Sequence, residues 1–74
     1  MKIKIDLIAS LSVGRFETAT RSYPHSESVK QVIEDLDLPE KSIGVILING
    51  KHASLDDLLE EGDTLLFLPL MDGG

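Results

Sequence analysis

The chain closes on Leu70-Met71-Asp72-Gly73-Gly74, and the carboxylate of Gly74 is the group with distinctive chemistry to offer. A terminal carboxyl has an ordinary pKa of about 3.3–3.7, so it is an anion at neutral pH. Such a carboxylate is a poor acyl donor until a good leaving group is attached, for example by nucleotide transfer. Gly73 and Gly74 lack side chains, so the backbone there can enter a narrow channel and take conformations closed to other residues. The combination suits an acyl group delivered into another protein's active site. A frayed end or a glycine-rich linker has the same composition, so the body that carries the tip must decide.

The other reactive side chains do not assemble into a catalytic pattern. His25 and His52 are far apart and have no partner at metal-ligand spacing, so both read as solvated. Asp56-Asp57 and Glu60-Glu61 offer paired carboxylates for acid–base work, but on a short polar turn between leucines they read as a solvated face. Ser10 and Ser12 have no triad pattern around them. The absence of cysteine removes a thiol nucleophile, a thiolate metal site and a disulfide frame. With no glycine-rich phosphate loop either, the expectation is a non-catalytic protein with no metal and no bound cofactor.

Composition sets further bounds. Seventy-four residues make one domain, with 42 % hydrophobic residues, as in a globular chain. Seven Lys and Arg against thirteen Asp and Glu leave a net charge of −6. Such a surface repels phosphate backbones, which argues against nucleic acid, and would favour a basic partner surface. Solubility alone accounts for it equally well. The opening Lys2-Ile3-Lys4-Ile5 alternates and lacks the apolar block of a signal peptide, and no run approaches a membrane span. Together with the missing cysteines this leads to the expectation of a cytoplasmic protein away from membranes.

The elements that must position the tip follow from periodicity. Ile3, Ile5, Leu7 and Ala9 share one face of a half-buried strand, with Lys2, Lys4 and Asp6 on the other. Ser10–Arg15 reads as a loop or hairpin turn, and Phe16–Tyr23 as a strand returning antiparallel. Ser28 and Gln31 have capping-box spacing, and Val29, Val32, Ile33 and Leu36 form one helical stripe. Leu38-Pro39 is expected to stop that helix. The continuous apolar run Ile43–Ile48 reads as a central strand, ended by a tight turn at Asn49-Gly50. A short strand or extended piece over 51–54 precedes one helical or 3₁₀ turn carrying Leu55, Leu58 and Leu59, with Ser54 as its candidate cap.

Leu65–Leu68 reads as the last strand, with regular pairing ending near Pro69, which has no amide to donate. Leu65 and Phe67 point one way and Leu66 and Leu68 the other. One pair enters the core; Leu66, Leu68 and Pro69 are the candidate docking surface, extended by Leu70 and Met71. The expected closure sets this strand parallel to the first. The expected fold is therefore α+β, a β-grasp: a mixed sheet of four to five strands covered by one main helix. Residues 1–74 form a single such domain, with a flexible C-terminal tail from about residue 69 that could reach about 20 Å if extended.

Ile48-Asn49-Gly50, Glu61-Gly62-Asp63 and the ending Phe67-Leu68-Pro69-Leu70-Met71-Asp72-Gly73-Gly74, in this element order and size, resemble the ubiquitin-like sulfur carriers. These are the small subunit of molybdopterin synthase and the sulfur carrier of thiazole synthesis. Pro69 after the aromatic of the last strand is more like the molybdopterin type. Leu70, Met71 and Asp72 depart from that type, whose tails commonly carry a second proline and small residues.

The resemblance implies that a ubiquitin-activating-type adenylyltransferase uses ATP to adenylate Gly74. A sulfur donor enzyme then leaves a thiocarboxylate there. The tail Leu70, Met71, Asp72, Gly73 enters the active site of a synthase large subunit, where the sulfur is given up for a molybdopterin or tungstopterin cofactor. The catalytic groups would lie in those partners. The open alternatives are a thiazole-pathway carrier, a protein modifier conjugated through Gly74, and a plain interaction module with an inert tail.

Overall fold

Ile3, Ile5 and Leu7 alternate with polar residues along β1 (Lys2–Leu7) and are all buried, as the period-two pattern requires. The computed structural model describes residues 1–71. β1 pairs antiparallel with β2 (Thr18–Ser22), with Lys2 opposite Ser22 and Asp6 opposite Thr18. The connection between them is not a simple turn. A 3₁₀ turn at Ala9–Ser12 folds Leu11 back into the core, where it is buried like the residues of β1. An apolar residue at that one position sets the path of the loop.

The helix α1 (Val29–Asp35) opens with the expected capping box. The Gln31 amide donates to Ser28 Oγ at 3.2 Å and the Ser28 amide donates to Gln31 Oε1 at 3.0 Å. The other amides of the first turn, those of Val29 and Lys30, donate to the carbonyls of Asp57 and Leu55, each at 3.0 Å. Residues 54–59 accordingly make a single i→i+3 turn, with the Asp57 amide donating to the Ser54 carbonyl at 3.1 Å, and no helix beyond it: the carbonyls of Leu55 and Asp57 serve the amides at the start of α1 instead. Leu59 is buried there and Leu58 is exposed. The Ser54 amide donates to Asp57 Oδ2 at 2.8 Å, so the side chain of Asp57 shapes the bend, with no cap at Ser54.

α1 also stops before Pro39 acts on it. Asp37 takes a left-handed φ of 54°, its amide donates to the Glu34 carbonyl at 3.1 Å, and the Leu38 amide donates to the Ile33 carbonyl at 3.0 Å. This is a Schellman ending, and the burial of both Ile33 and Leu38 supplies its apolar contact.

After a 3₁₀ turn at Glu40–Ser42 come β3 (Ile43–Ile48), β4 (Lys51–His52) and β5 (Thr64–Pro69). Asn49 and Gly50 join β3 to β4 with φ of 52° and 82°, the left-handed pair that a two-residue hairpin needs and that glycine accepts without a clash. The sheet has five strands in the order β2-β1-β5-β3-β4, with β5 parallel to β1 and antiparallel to β3. Ile3, Ile5, Leu7, Leu65 and Phe67 pack with Val29, Val32 and Ile33 of α1 into one core. This is the β-grasp arrangement.

β3 is not the central strand that its apolar run implied. It is paired on one side only with two-residue β4, and each of its residues is half-buried or exposed. The centre is β5, whose neighbours β1 and β3 both run past it.

Candidate functional site

The candidate site is the open face and the end of β5. Leu65 and Phe67 are fully buried against α1, so strand alternation sends Leu66 and Leu68 to the opposite face, where both are half-buried. Pro69 is half-buried as well. Register adds two residues missed in the sequence. Leu47 of β3 lies opposite Leu66, and Val45 opposite Leu68. Directly paired residues project from the same face, so Val45, Leu47, Leu66 and Leu68 form one aliphatic patch on the side away from α1. The alternation of β3 could have pointed to Val45 and Leu47, but an unbroken apolar run hides which residues face outward.

Around the patch the same face is polar. His52 lies opposite Leu47, Asp6 beside Leu66, and Lys4 beside Thr64. The exposed Thr18 hydroxyl donates to Asp6 Oδ1 at 2.8 Å, which keeps that carboxylate engaged at the rim.

At the start of β5 the Asn49 side chain joins β3 to β5. Its Nδ2 donates to Asp63 Oδ1 at 2.8 Å, and the Thr64 amide donates to Asn49 Oδ1 at 2.9 Å. The Glu60 amide donates to Asp63 Oδ2 at 2.8 Å, so the carboxylate of Asp63 ties the approach to β5 to the β3 turn. This fixes the register on which the two faces depend.

Pairing at the other end of β5 runs further than the proline suggested. Pro69 lies opposite Ile43, and the Leu70 amide donates to the Ser42 carbonyl at 2.6 Å. A proline fits here because it terminates the strand, and the residue after it restores the ladder. Beyond that bond the chain leaves the sheet: the Leu70 side chain is 62 % exposed and that of Met71 84 %. Of the proposed tail, Leu70 and Met71 are therefore at the surface, while Asp72, Gly73 and Gly74 lie outside the described residues.

The remaining candidates stay scattered. His25 and His52 are exposed, and the described residues bring together no cluster of His, Asp and Glu that could hold a metal. Ser12 donates its hydroxyl to the Ala9 carbonyl at 2.7 Å within the 3₁₀ turn, a structural bond. The described residues form no pocket, and none of their helices is long and apolar enough to cross a membrane. Tyr23 has a perturbed ionisation: burial and then the Asp35 carboxylate raise its phenol above the usual value near 10, partly opposed by Arg21, with Glu27 adding the smallest contribution upward. It follows β2 and exchanges main-chain bonds with Met1, at the end of the sheet opposite the β5 exit.

A mixed sheet with this order, its last strand at the centre and one capped helix across it, is the ubiquitin-like architecture, and the sequence matches a family of that kind. The family model described as Mut7-C ubiquitin matches residues 11–72. The chain belongs to the Mut7-C ubiquitin family. The match takes in α1, the β3–β4 hairpin and all of β5.

Among solved structures, this family member is similar to SAMP1 from Haloferax volcanii, with a TM-score of 0.75 and 22 % identity over 100 % of both chains. It is also similar to a protein from Pyrococcus furiosus described as a molybdopterin converting factor, subunit 1. There the TM-score is 0.77 and the identity 22 %, over 96 % of this chain and 99 % of that one. At that identity the likeness is one of fold. No curated protein matches the sequence.

Proposed function

We propose that this ubiquitin-like protein is a carrier charged at the carboxylate of Gly74, and that its charged form is a thiocarboxylate that donates sulfur. The observation that carries the reading is the path of β5. The strand is fixed at the centre of the sheet by Leu65 and Phe67, and it hands the chain out at Leu70 and Met71 with both side chains exposed. A rigid strand of this kind fixes the point from which the tail starts and so lowers the cost of bringing it into a partner's active site.

The chemistry runs in two steps. A carboxylate oxygen of Gly74 attacks the α-phosphorus of ATP on an adenylyltransferase, and pyrophosphate leaves. Sulfur supplied at the hydrosulfide level by a donor enzyme then forms a C–S bond as AMP leaves. The thiocarboxylate sulfur is a polarizable nucleophile that a synthase large subunit can use on its substrate. The likeness to the molybdopterin converting factor subunit favours a pterin cofactor pathway over a thiazole one, and Pro69 agrees. The patch of Val45, Leu47, Leu66 and Leu68, with Pro69, is the docking surface in this reading, and the tail Leu70, Met71, Asp72, Gly73 accompanies Gly74 into the partner. No cofactor is held by the carrier itself, and the catalytic groups belong to cytoplasmic partners.

Incubation with a cognate activating enzyme, ATP and a sulfur donor, followed by intact-mass analysis, tests this. Exchange of one oxygen for sulfur, localised to Gly74 by fragmentation, is the expected result. An unchanged mass under conditions that charge a known carrier contradicts it.

Membership of a ubiquitin family favours a second reading, a modifier joined through Gly74 to lysines of other proteins. It shares the acyl adenylate and differs in the acceptor, a lysine amine in place of sulfur. No Lys or Arg follows Lys51, so trypsin would leave His52–Gly74 attached to a modified lysine. Finding that branched peptide in cells selects the modifier reading.

A further inference from the structure

The end of β5 is held against an irregularity in β3. The pairing of the two strands is regular from Ile48 opposite Leu65 to Val45 opposite Leu68, then slips between Val45 and Ile43 before Ile43 meets Pro69. Gly44 is the residue at the slip. A Cβ built there would lie 2.8 Å from the Leu70 Cα, 3.0 Å from the Pro69 carbonyl oxygen and 3.1 Å from the Leu70 nitrogen. Carbon atoms in contact sit at about 3.5–4.0 Å, so any side chain at this position collides with main chain, which cannot rotate away. Gly14, Gly50 and Gly62 have left-handed φ and open space around the missing Cβ, so their role is conformational. Gly44 has no such φ, and its role is close approach.

That approach has one visible product. It brings the Leu70 amide to 2.6 Å from the Ser42 carbonyl, the last main-chain bond before the exposed Met71. The bond lies beyond a residue that cannot donate, so without it the anchored part of the chain would end at or before Pro69. A bulge at the end of a strand bends it and so aims the residues beyond.

We infer that Gly44 is the positioning residue for the acyl end: by admitting the Pro69–Leu70 main chain it closes the Leu70–Ser42 bond and sets the direction in which the chain leaves the sheet. As a consequence for function, this rests on the carrier reading above. The clamp itself does not, because it can be measured in the isolated protein.

The test is Gly44→Ala. In the isolated protein, hydrogen exchange by NMR at the Leu70 amide rises about tenfold, the factor matching a hydrogen bond of ordinary net strength. The Asn49 amide, bonded to the Thr64 carbonyl at 2.8 Å at the other end of the β3–β5 pairing, keeps its rate. In a charging assay kcat falls by about 100-fold, the scale of a misplacement of about 1 Å, while KM is unchanged because the docking patch is intact. The variant therefore competitively inhibits charging of the wild type, with an inhibition constant equal to the wild-type KM.

Unchanged exchange at Leu70, wild-type kcat, or a loss confined to KM overturns the inference. If exchange at Asn49 also rises, the sheet has loosened, and Leu70→Pro, which removes the amide donor, compared with Leu70→Ala, which loses the same side chain and keeps the donor, decides: a kcat well below that of the Ala variant upholds the clamp and equal kcat values refute it. If the wild-type chain is never charged, the carrier reading fails, and the exchange result at Leu70 alone upholds or refutes the clamp.

Discussion

The two faces of β5 carry the same kind of residue to opposite ends. Leu65 and Phe67 are fully buried between the sheet and α1, whereas Leu66 and Leu68, their immediate neighbours in sequence, are half-buried and joined on the open face by Val45 and Leu47. Composition cannot separate these pairs; only the location of the single helix does. One face fixes the strand in space. The other is aliphatic surface left beside the exit of the chain, where a partner that takes the tail would also meet it.

The largest effect that separates the faces is on stability. Phe67→Ala should cost about 3–5 kcal/mol, as for deletion of a large buried side chain, and in a domain of this size that threatens folding. Leu68→Ala should cost about 1 kcal/mol or less, since much of its surface is already solvated. Chemical denaturation of the two variants measures the contrast, and equal losses would remove the distinction between the faces.

Next in size is the register that keeps the faces apart, because a slip of one residue would exchange them. Asn49→Ala loses the two side-chain bonds to Asp63 and Thr64 and places a Cβ residue at a φ of 52°. The expected cost is about 2–3 kcal/mol, with part of it recovered in Asn49→Gly, which accepts that φ. A Gly variant no more stable than the Ala variant would contradict this account of the turn.

Leu66→Asp sharpens the comparison from the side of binding. It should leave the fold intact and weaken binding to the activating partner by at least about tenfold, the scale of a central interface residue. Titration calorimetry measures it, and unchanged affinity would mean that the open face is not a docking surface.

The smallest effect lies away from both faces. Burial and Asp35 raise the folded-state pKa of Tyr23 above the unfolded value, so folding favours the protonated phenol. That stabilisation is complete below pH about 10 and is lost as pH rises through the folded-state pKa. Tyr23→Phe should flatten the alkaline limb of a melting-temperature profile; a limb unchanged by the substitution would show that other groups produce it.

The parts of the fold written in local patterns were legible in the sequence. The alternation of β1, the stripe and capping box of α1, the Asn49-Gly50 turn and the division of β5 into two faces each depend on residues close in the chain. What was not legible depends on hydrogen bonds to distant residues. Leu55–Leu59 has the leucines of a helical turn, but its carbonyls serve the start of α1. The helix ends at a left-handed Asp37, a residue with weak local preference for that role, ahead of the more conspicuous Pro39. The run Ile43–Ile48 looked central because its outward residues are aliphatic too. Of the candidate site, Pro69, Leu70 and Met71 could be named from their place in the chain, and alternation paired Leu66 with Leu68, but that this pair and not Leu65 with Phe67 faces outward is decided by the position of α1. Val45, Leu47 and Gly44 emerge only from the register of β3 against β5.

The central claim is that a rigid strand presents an acyl end for another enzyme to activate. ATP-dependent release of pyrophosphate by a cognate activating enzyme, with the full chain and with the chain lacking Gly73-Gly74, tests it most directly. The account predicts saturable release with the full chain and none above background with the shortened one, although both fold and both bind the enzyme. Equal release from the two chains would contradict it.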